Sequence, residues 1–315
     1  MNMPVFDLHC DTAFEMLGYN GNPEKGLLTN DLHIDLTRAS SLPAYTQCFA
    51  CFSTLPKHSD SLDPTVMFRN EVEKIKREIA ANAGKISLVT SVDQIERNQK
   101  NGVISAVLTA EGSAGIGFNP DNLSLLKQEG FFMISPCWNE MNPLTGSHIT
   151  GGGLTERGRD FVRQAQMLGM IIDVSHISDE GFWDVMDVTT APIIATHSNC
   201  RSICNHSRNL TDEMFLAICR TGGVAGINLY THFLGASNLD AVCDHVFHYL
   251  SLDPDGKHIA LGGDLDGCES MPEGFSGVQD YPRLAERLFE RGLPEKVIYD
   301  IFWNNALGVI THCCT

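Results

Sequence analysis

The chain has 315 residues, 43% of them apolar, with 28 glycines and a formal charge of −17 at neutral pH. It is long enough for one large α/β domain, and its acidity without any Lys/Arg-rich run excludes a nucleic-acid backbone as partner. No apolar run reaches the roughly 18 residues of a membrane span, and the opening MNMPVFDLHCD lacks a basic-then-apolar leader, so a cytoplasmic chain with no membrane anchor is expected. Eleven cysteines form an odd set scattered through apolar stretches, which reads as reduced core thiols rather than a disulfide framework. Cys48 with Cys51 and Cys200 with Cys204 have metal-like spacings, but no second CxxC completes a four-thiolate site, and packing roles are expected.

In chain order, runs of β-branched and apolar residues bounded by Gly, Pro, Asn or Asp predict eight strands: 5–10, 45–53, 104–110, 132–138, 170–175, 193–196, 224–229 and 258–262. Helical patterns fall between them, at 65–81, 122–129, 155–168, 178–188, 211–221 and 239–250. Thr155, Ser178 and Thr211 each precede acidic residues, as N-caps do. A tail from about 279 to 315 carries two more helical patterns, 281–291 and 295–310. Eight alternations of strand and helix predict a parallel sheet closed as a (β/α)8 TIM barrel, one domain over residues 1–315 with a C-terminal helical extension. An open dinucleotide-binding sheet is disfavoured, because no GxGxxG follows the first strand; Gly151 to Leu154 reads as loop.

In such a barrel the chemistry collects at the C-terminal strand ends. The first strand ends in His9 and Asp11, whose alternate spacing points both side chains the same way. The third ends in Glu111, the fifth in His176, the sixth in His197 and the eighth in Asp264 and Asp266. Three histidines and several carboxylates exceed the needs of one tetrahedral zinc, and two metals sharing a carboxylate use them better. Glu111, coming from an otherwise apolar strand, is the natural bridge, since a buried acid needs compensating charge.

The stretches DLHCDT, TAEG, DVSHISDEGF, THSNCR through HSRNLTDE, INLY and GGDLDG occur in one order over almost the whole chain. In that order and spacing the sequence resembles the membrane dipeptidase (renal dipeptidase) family of metallopeptidases, peptidase family M19, as a soluble bacterial-type member. The resemblance implies a metal-dependent (β/α)8 hydrolase with two Zn2+ ions, one held by His9 and Asp11, the other by His176 and His197, and Glu111 bridging. It further implies that Arg208 binds the substrate's terminal carboxylate, a task suited to a planar guanidinium, and that Asp264 faces the metals and the substrate amine. The implied substrate is a small dipeptide, with a D-residue tolerated at its C-terminal position.

One departure stands out. Renal-type members carry a His at the end of the fourth predicted strand, where this chain has Trp138, which cannot titrate near neutral pH. Asn139, Glu140, Asn142 and His148 lie close enough in sequence to substitute. Trp138, Asn139 and Tyr230 are expected to line the substrate pocket. The expected chemistry is attack of a metal-bridging hydroxide on the peptide carbonyl, with Asp264 relaying a proton or holding the substrate amine. Two alternatives stay open: another amidohydrolase-type enzyme acting on a cyclic amide, lactone or N-acyl amino acid, and a non-catalytic metal-binding homologue. Phe302, Trp303, Leu307, Val309 and Ile310 of the tail are expected to cover the barrel, or else a partner in a homodimer.

Overall fold

The computed structural model describes residues 1–19, 22–55 and 62–313. Its strands are β1 (Val5–Cys10), β2 (Tyr45–Phe52), β3 (Ile86–Leu88), β4 (Ile104–Glu111), β5 (Phe131–Ile134), β6 (Ile171–Asp173), β7 (Ile193–Ile194), β8 (Ala225–Ile227) and β9 (Ile259–Leu261). All pair in parallel, in the order β7-β6-β5-β4-β2-β1-β9-β8. A bridge between Ala195 and Ala225 joins the ends of that order, with Ala195 N–H donating to Val224 O at 3.0 Å and Gly226 N–H to Ala195 O at 2.8 Å. The expected (β/α)8 barrel is therefore present, with its predicted strands in place.

The extra strand, β3, was not expected from its three-residue run. It pairs with Ile104 to Ala106 of β4, while β5 takes Leu108 to Ala110, so the two share one edge of β4 end to end. The helix Val92–Asn101 after it was also unpredicted. The three expected caps form: the hydroxyls of Thr155, Ser178 and Thr211 accept from the N–H of Gly158, Gly181 and Met214, each contributing about 1 kcal/mol.

Phe6, Leu8, Val107, Met133, Ile171, Ile194 and Ala260 belong to one buried cluster that fills the barrel interior. The tail seals its N-terminal mouth. Trp303, Ala306, Val309 and Ile310 join that cluster, the Trp303 ring lies 5.7 Å from Phe6, and Asn305 donates to Gly256 O and Ile259 O at 2.7 Å. The expected helix 295–310 is interrupted by a π-helical turn, Asp300–Asn304, whose wider winding lets Phe302 and Trp303 be buried together with Ala306 and Ile310. The described cysteines are all free, and Cys48, Cys51 and Cys200 are buried; Cys314 lies outside the described residues.

Candidate metal centre and active-site pocket

The predicted residues converge at the C-terminal end of the barrel, though His9 arrives there by a route that simple alternation does not give. Phe6 and Leu8 point into the barrel, whereas Asp7, between them, accepts from Gly263 N–H at 3.0 Å and from the Tyr281 hydroxyl. Strict alternation would send His9 to the side of Asp7. The register of β1 against β2 shifts between Asp7 and Cys10, a bulge that re-aims the next side chain, and His9 N–H donates to Asp7 Oδ1 at 3.0 Å within it.

Glu111, at the end of β4, then divides its two oxygens between two groups. Its Oε2 lies 3.6 Å from His9 Nε2, which also stands 3.6 Å from Asp11 Oδ2 and 3.8 Å from Asp264 Oδ1. Its Oε1 lies 2.7 Å from His176 Nε2 and 3.5 Å from His197 Nε2. The two histidine Nε2 atoms are 3.1 Å apart, and the His9 and His197 rings stack at 3.7 Å.

The rings of His176 and His197 each have a polar partner on their far side. His176 Nδ1 lies 2.9 Å from Asn139 Oδ1 and His197 Nδ1 lies 2.7 Å from Thr196 Oγ1. Burial and the Arg208 charge push the His176 pKa down, and burial with His9 pushes that of His197 well down, which favours the neutral form of each ring. Their Nε2 atoms face each other and a Glu111 oxygen, with Arg208 Nη2 3.2 Å from that of His176. His9 Nε2, fully buried, has no hydrogen-bond partner among the described residues. The opposing shifts around it fit the same picture. Burial lowers the His9 pKa, but Glu111 and Asp11 outweigh it and hold it well up; Glu111 is held well below the usual carboxylate range despite its burial, by His9 and His176. Asp11 is pushed up to about 8 by burial and by Glu111. Imidazole nitrogens and carboxylates packed this closely are a donor set for divalent cations, which stabilise such groups in their deprotonated forms. His9, Glu111 and His197, and separately His9, Asp11 and Asp264, have ligand atoms within mutual reach of one ion.

Two local features keep the last strand's carboxylates close. Asp264 and Asp266 adopt left-handed backbone, φ 58° and 68°, which Asp tolerates better than most residues. A Cβ on Gly267 would sit 1.9 Å from Asp11 Oδ2 and 2.7 Å from Asp264 Oδ1, so only glycine fits. Asp264 is fixed by Asn228 Nδ2 at 2.9 Å. Asp266 is occupied otherwise, accepting from Thr12 Oγ1 at 2.6 Å and His33 N–H at 2.5 Å, a tie between the short helix Thr12–Glu15 after β1 and the loop around His33.

A cavity of about 720 Å³ opens over these groups. Arg208 lies at one side, 3% exposed, donating to Ser198 Oγ at 3.0 Å, His197 O at 3.3 Å and Ser175 O, with Nη2 also 3.2 Å from His176 Nε2 and its guanidinium 5.5 Å from the Phe233 ring. No ion pair to a carboxylate involves it among the described residues, and its Nε has no partner there. Trp138, Asn139, His148, Tyr230 and Asp264 also line the cavity, Trp138 edge-on to Phe52 at 4.7 Å. Glu269, on the same wall, hydrogen-bonds the Tyr230 hydroxyl and pushes its pKa up to about 12.

Of the candidates to replace the missing strand-end His, Glu140 turns to Thr54 Oγ1 and Leu55 N–H, and Asn142 is spent holding its own loop at Leu144 and Thr145. His148 reaches Ser207 Oγ at 2.8 Å and Asn139 Oδ1 at 3.0 Å; burial and Arg208 push its pKa down to about 3, so it is neutral. Asn139 thus joins His148 to His176, a contact that sequence spacing alone did not reveal. Asn228, Thr196 and Asp173 were missed as well; their signal is a polar residue inside an apolar strand-end run, as in INLY, IIATHS and MIIDVSH.

A family model described as membrane dipeptidase (peptidase family M19) matches residues 1–314. The chain belongs to that family. M19 is a family of metal-dependent dipeptidases, and this chain is an M19 metallo-dipeptidase on a TIM barrel. It is 34% identical over 263 residues to an uncharacterized protein encoded in the pqqA 5′ region of Klebsiella pneumoniae, covering 79% of this chain and 96% of that one. Among solved structures it is similar to an M19 metallopeptidase termed dipeptidase AC, with TM-score 0.89, 25% identity and 99% of each chain covered. A metallopeptidase from Rhodobacter sphaeroides, crystallised with a phosphinate mimic of the dipeptide L-Ala-D-Ala, shares the fold at TM-score 0.89 and 24% identity, covering 99% of this chain and 100% of that one. No helix among the described residues is long and apolar enough to cross a membrane.

Proposed function

We propose that this M19 chain is a binuclear zinc dipeptidase, acting as one domain over residues 1–315 in the cytoplasm. His9 and Asp11 would hold one Zn2+, His176 and His197 the other, and Glu111 both. The observation that carries this reading is the division of Glu111: Oε2 toward His9 at 3.6 Å, Oε1 toward His176 and His197 at 2.7 and 3.5 Å. When bound, such a metal pair supplies a water with a pKa near 7 and Lewis-acid polarisation of a carbonyl.

The remaining roles belong to the chain's own side chains. Arg208, a buried cation without an acidic partner among the described residues, orients the dipeptide by its C-terminal carboxylate through its charge and its unpaired Nε–H. That places the scissile carbonyl over the Glu111 group and the free amino terminus beside Asp264 and Asp11. Asp264, held by Asn228 through Oδ2, keeps Oδ1 on the His9 side, where it takes a proton from the attacking water and delivers it to the leaving nitrogen, or anchors the substrate amine. Trp138 and Phe52 form an apolar wall that limits water around the scissile bond, and Tyr230 and Asn139 shape the pocket. The ligand of the Rhodobacter relative supports tolerance of a D-residue at the C-terminal position.

Metal content measured with turnover of L,L and L,D dipeptides on one preparation tests this. About two zincs per chain and chelator-sensitive cleavage that includes an L,D dipeptide are expected. Full activity with one metal per chain, or two metals without cleavage of any dipeptide, refutes it.

A further inference from the structure

Behind His197 lies a buried carboxylate with no part in the ligand set. Asp173 ends β6 and is 5% exposed. Its Oδ1 accepts from Ser175 N–H at 3.0 Å, Ser175 Oγ at 2.6 Å and Thr196 N–H at 2.9 Å. Its Oδ2 accepts from Thr196 Oγ1 at 2.6 Å. The Thr196 oxygen in turn stands 2.7 Å from His197 Nδ1. A threonine hydroxyl has one hydrogen to give. Directed at Asp173 Oδ2, that hydrogen leaves the oxygen as an acceptor, and the donor that the ring places 2.7 Å from it is Nδ1–H. We propose that Asp173 and Thr196 form a relay of positioning residues that fixes His197 in its Nδ1–H tautomer and so presents a bare Nε2 to a metal.

The relay rests on the metal-centre reading above and deepens it. It also reaches beyond one ring. Ser175, bound to Asp173 through both N–H and Oγ, accepts from His197 N–H at 3.2 Å and offers its carbonyl to Arg208. One carboxylate thus braces the backbone of a predicted metal ligand and the seat of the guanidinium that faces the substrate. Gly226 and Gly262 permit the arrangement: a Cβ on either would fall within 2.0 Å of Thr196 O, so β8 and β9 can close against the Thr196–His197 backbone only as glycine.

Outer hydrogen-bond partners of metal-ligating histidines contribute about 10- to 100-fold in metal affinity. The test uses the full-length chain, Thr196→Val and Thr196→Ser, with zinc affinity read by chelator competition and stoichiometry by metal analysis. Val keeps the shape of Thr and removes the hydroxyl; Ser does the reverse. The relay predicts that T196V weakens one of two zinc sites about 10- to 100-fold while T196S stays near wild type. A packing role predicts the opposite order, with T196S the damaged variant, and that result overturns the proposal, as does a folded T196V with wild-type affinity at both sites. If T196V does not fold, T196A against T196S carries the same contrast. Because affinity is the readout, a chain that binds zinc and cleaves no dipeptide refutes the catalytic reading, while the relay is decided by the T196V and T196S comparison.

Discussion

Replacing Arg208 by Met keeps most of the side chain's length and packing against Phe233 and removes the charge. Arg208 has no acidic partner among the described residues; its Nη1 and Nη2 are held by Ser175 O, Ser198 Oγ, His176 Nε2 and His197 O, so the unpaired Nε–H is the donor left for a ligand carboxylate. One charge-assisted hydrogen bond at about 1.5–3 kcal/mol corresponds to roughly 10- to 10²-fold in kcat/KM. The loss should fall mainly on KM, because the contact exists in the ground state as well as the transition state. The assay compares each dipeptide with its C-terminal amide on wild-type and Arg208→Met protein at matched metal content. Wild type should prefer the free acid strongly, and the variant should discriminate little between them. A variant that keeps the wild-type ratio of acid to amide would refute the assignment, since the carboxylate would then be read elsewhere.

The substitution G267A places a Cβ 1.9 Å from Asp11 Oδ2; it should release at least one metal and most activity, seen as lowered zinc content in a protein that retains its circular dichroism. Tyr281→Phe deprives the buried Asp7 of a donor and should cost about 1–3 kcal/mol in urea unfolding. His245 is fully buried, accepting from Cys200 N–H at 3.0 Å and facing Leu234 O at 3.2 Å, with its pKa pushed down from 6.5 to about 4 by burial. A depressed folded-state pKa means the unfolded chain protonates first, so its contribution is complete above pH 6.5 and is lost as pH falls toward 4, by about 3 kcal/mol. In His245→Gln the unfolding free energy should fall less steeply across that window; an unchanged slope would contradict the assignment.

The strand ends were legible because the chemistry of a closed barrel is one-sided: polar residues terminating apolar runs at 9–11, 111, 176, 197 and 264 have few reasons to recur except a shared site. The caps at Thr155, Ser178 and Thr211 were legible for a similarly local reason. What escaped depended on neighbours distant in sequence. The bulge in β1 is set by Asp7 and its partners on Gly263 and Tyr281, and alternation alone gave the right convergence of His9 and Asp11 for an incomplete reason. β3 is too short to stand out from its surroundings and exists through the free edge of β4. Asp173 resembled one more strand residue, since its four donors come from Ser175 and from Thr196, which follows another strand, β7.

The pairing of β1 with β9 also governs when the site can exist during synthesis. Asp7 aligns with Leu261, and Thr12 is hydrogen-bonded to Asp266 across 254 positions of sequence. On a ribosome adding about 5–20 residues per second, His9 and Asp11 precede Asp264 by roughly 10–50 s. Through that interval the first strand has β2 as a neighbour but neither its other edge partner nor the Trp303 plug beneath Phe6. The nascent chain therefore carries an uncompleted sheet edge and half of the proposed ligand set until nearly all of it has emerged.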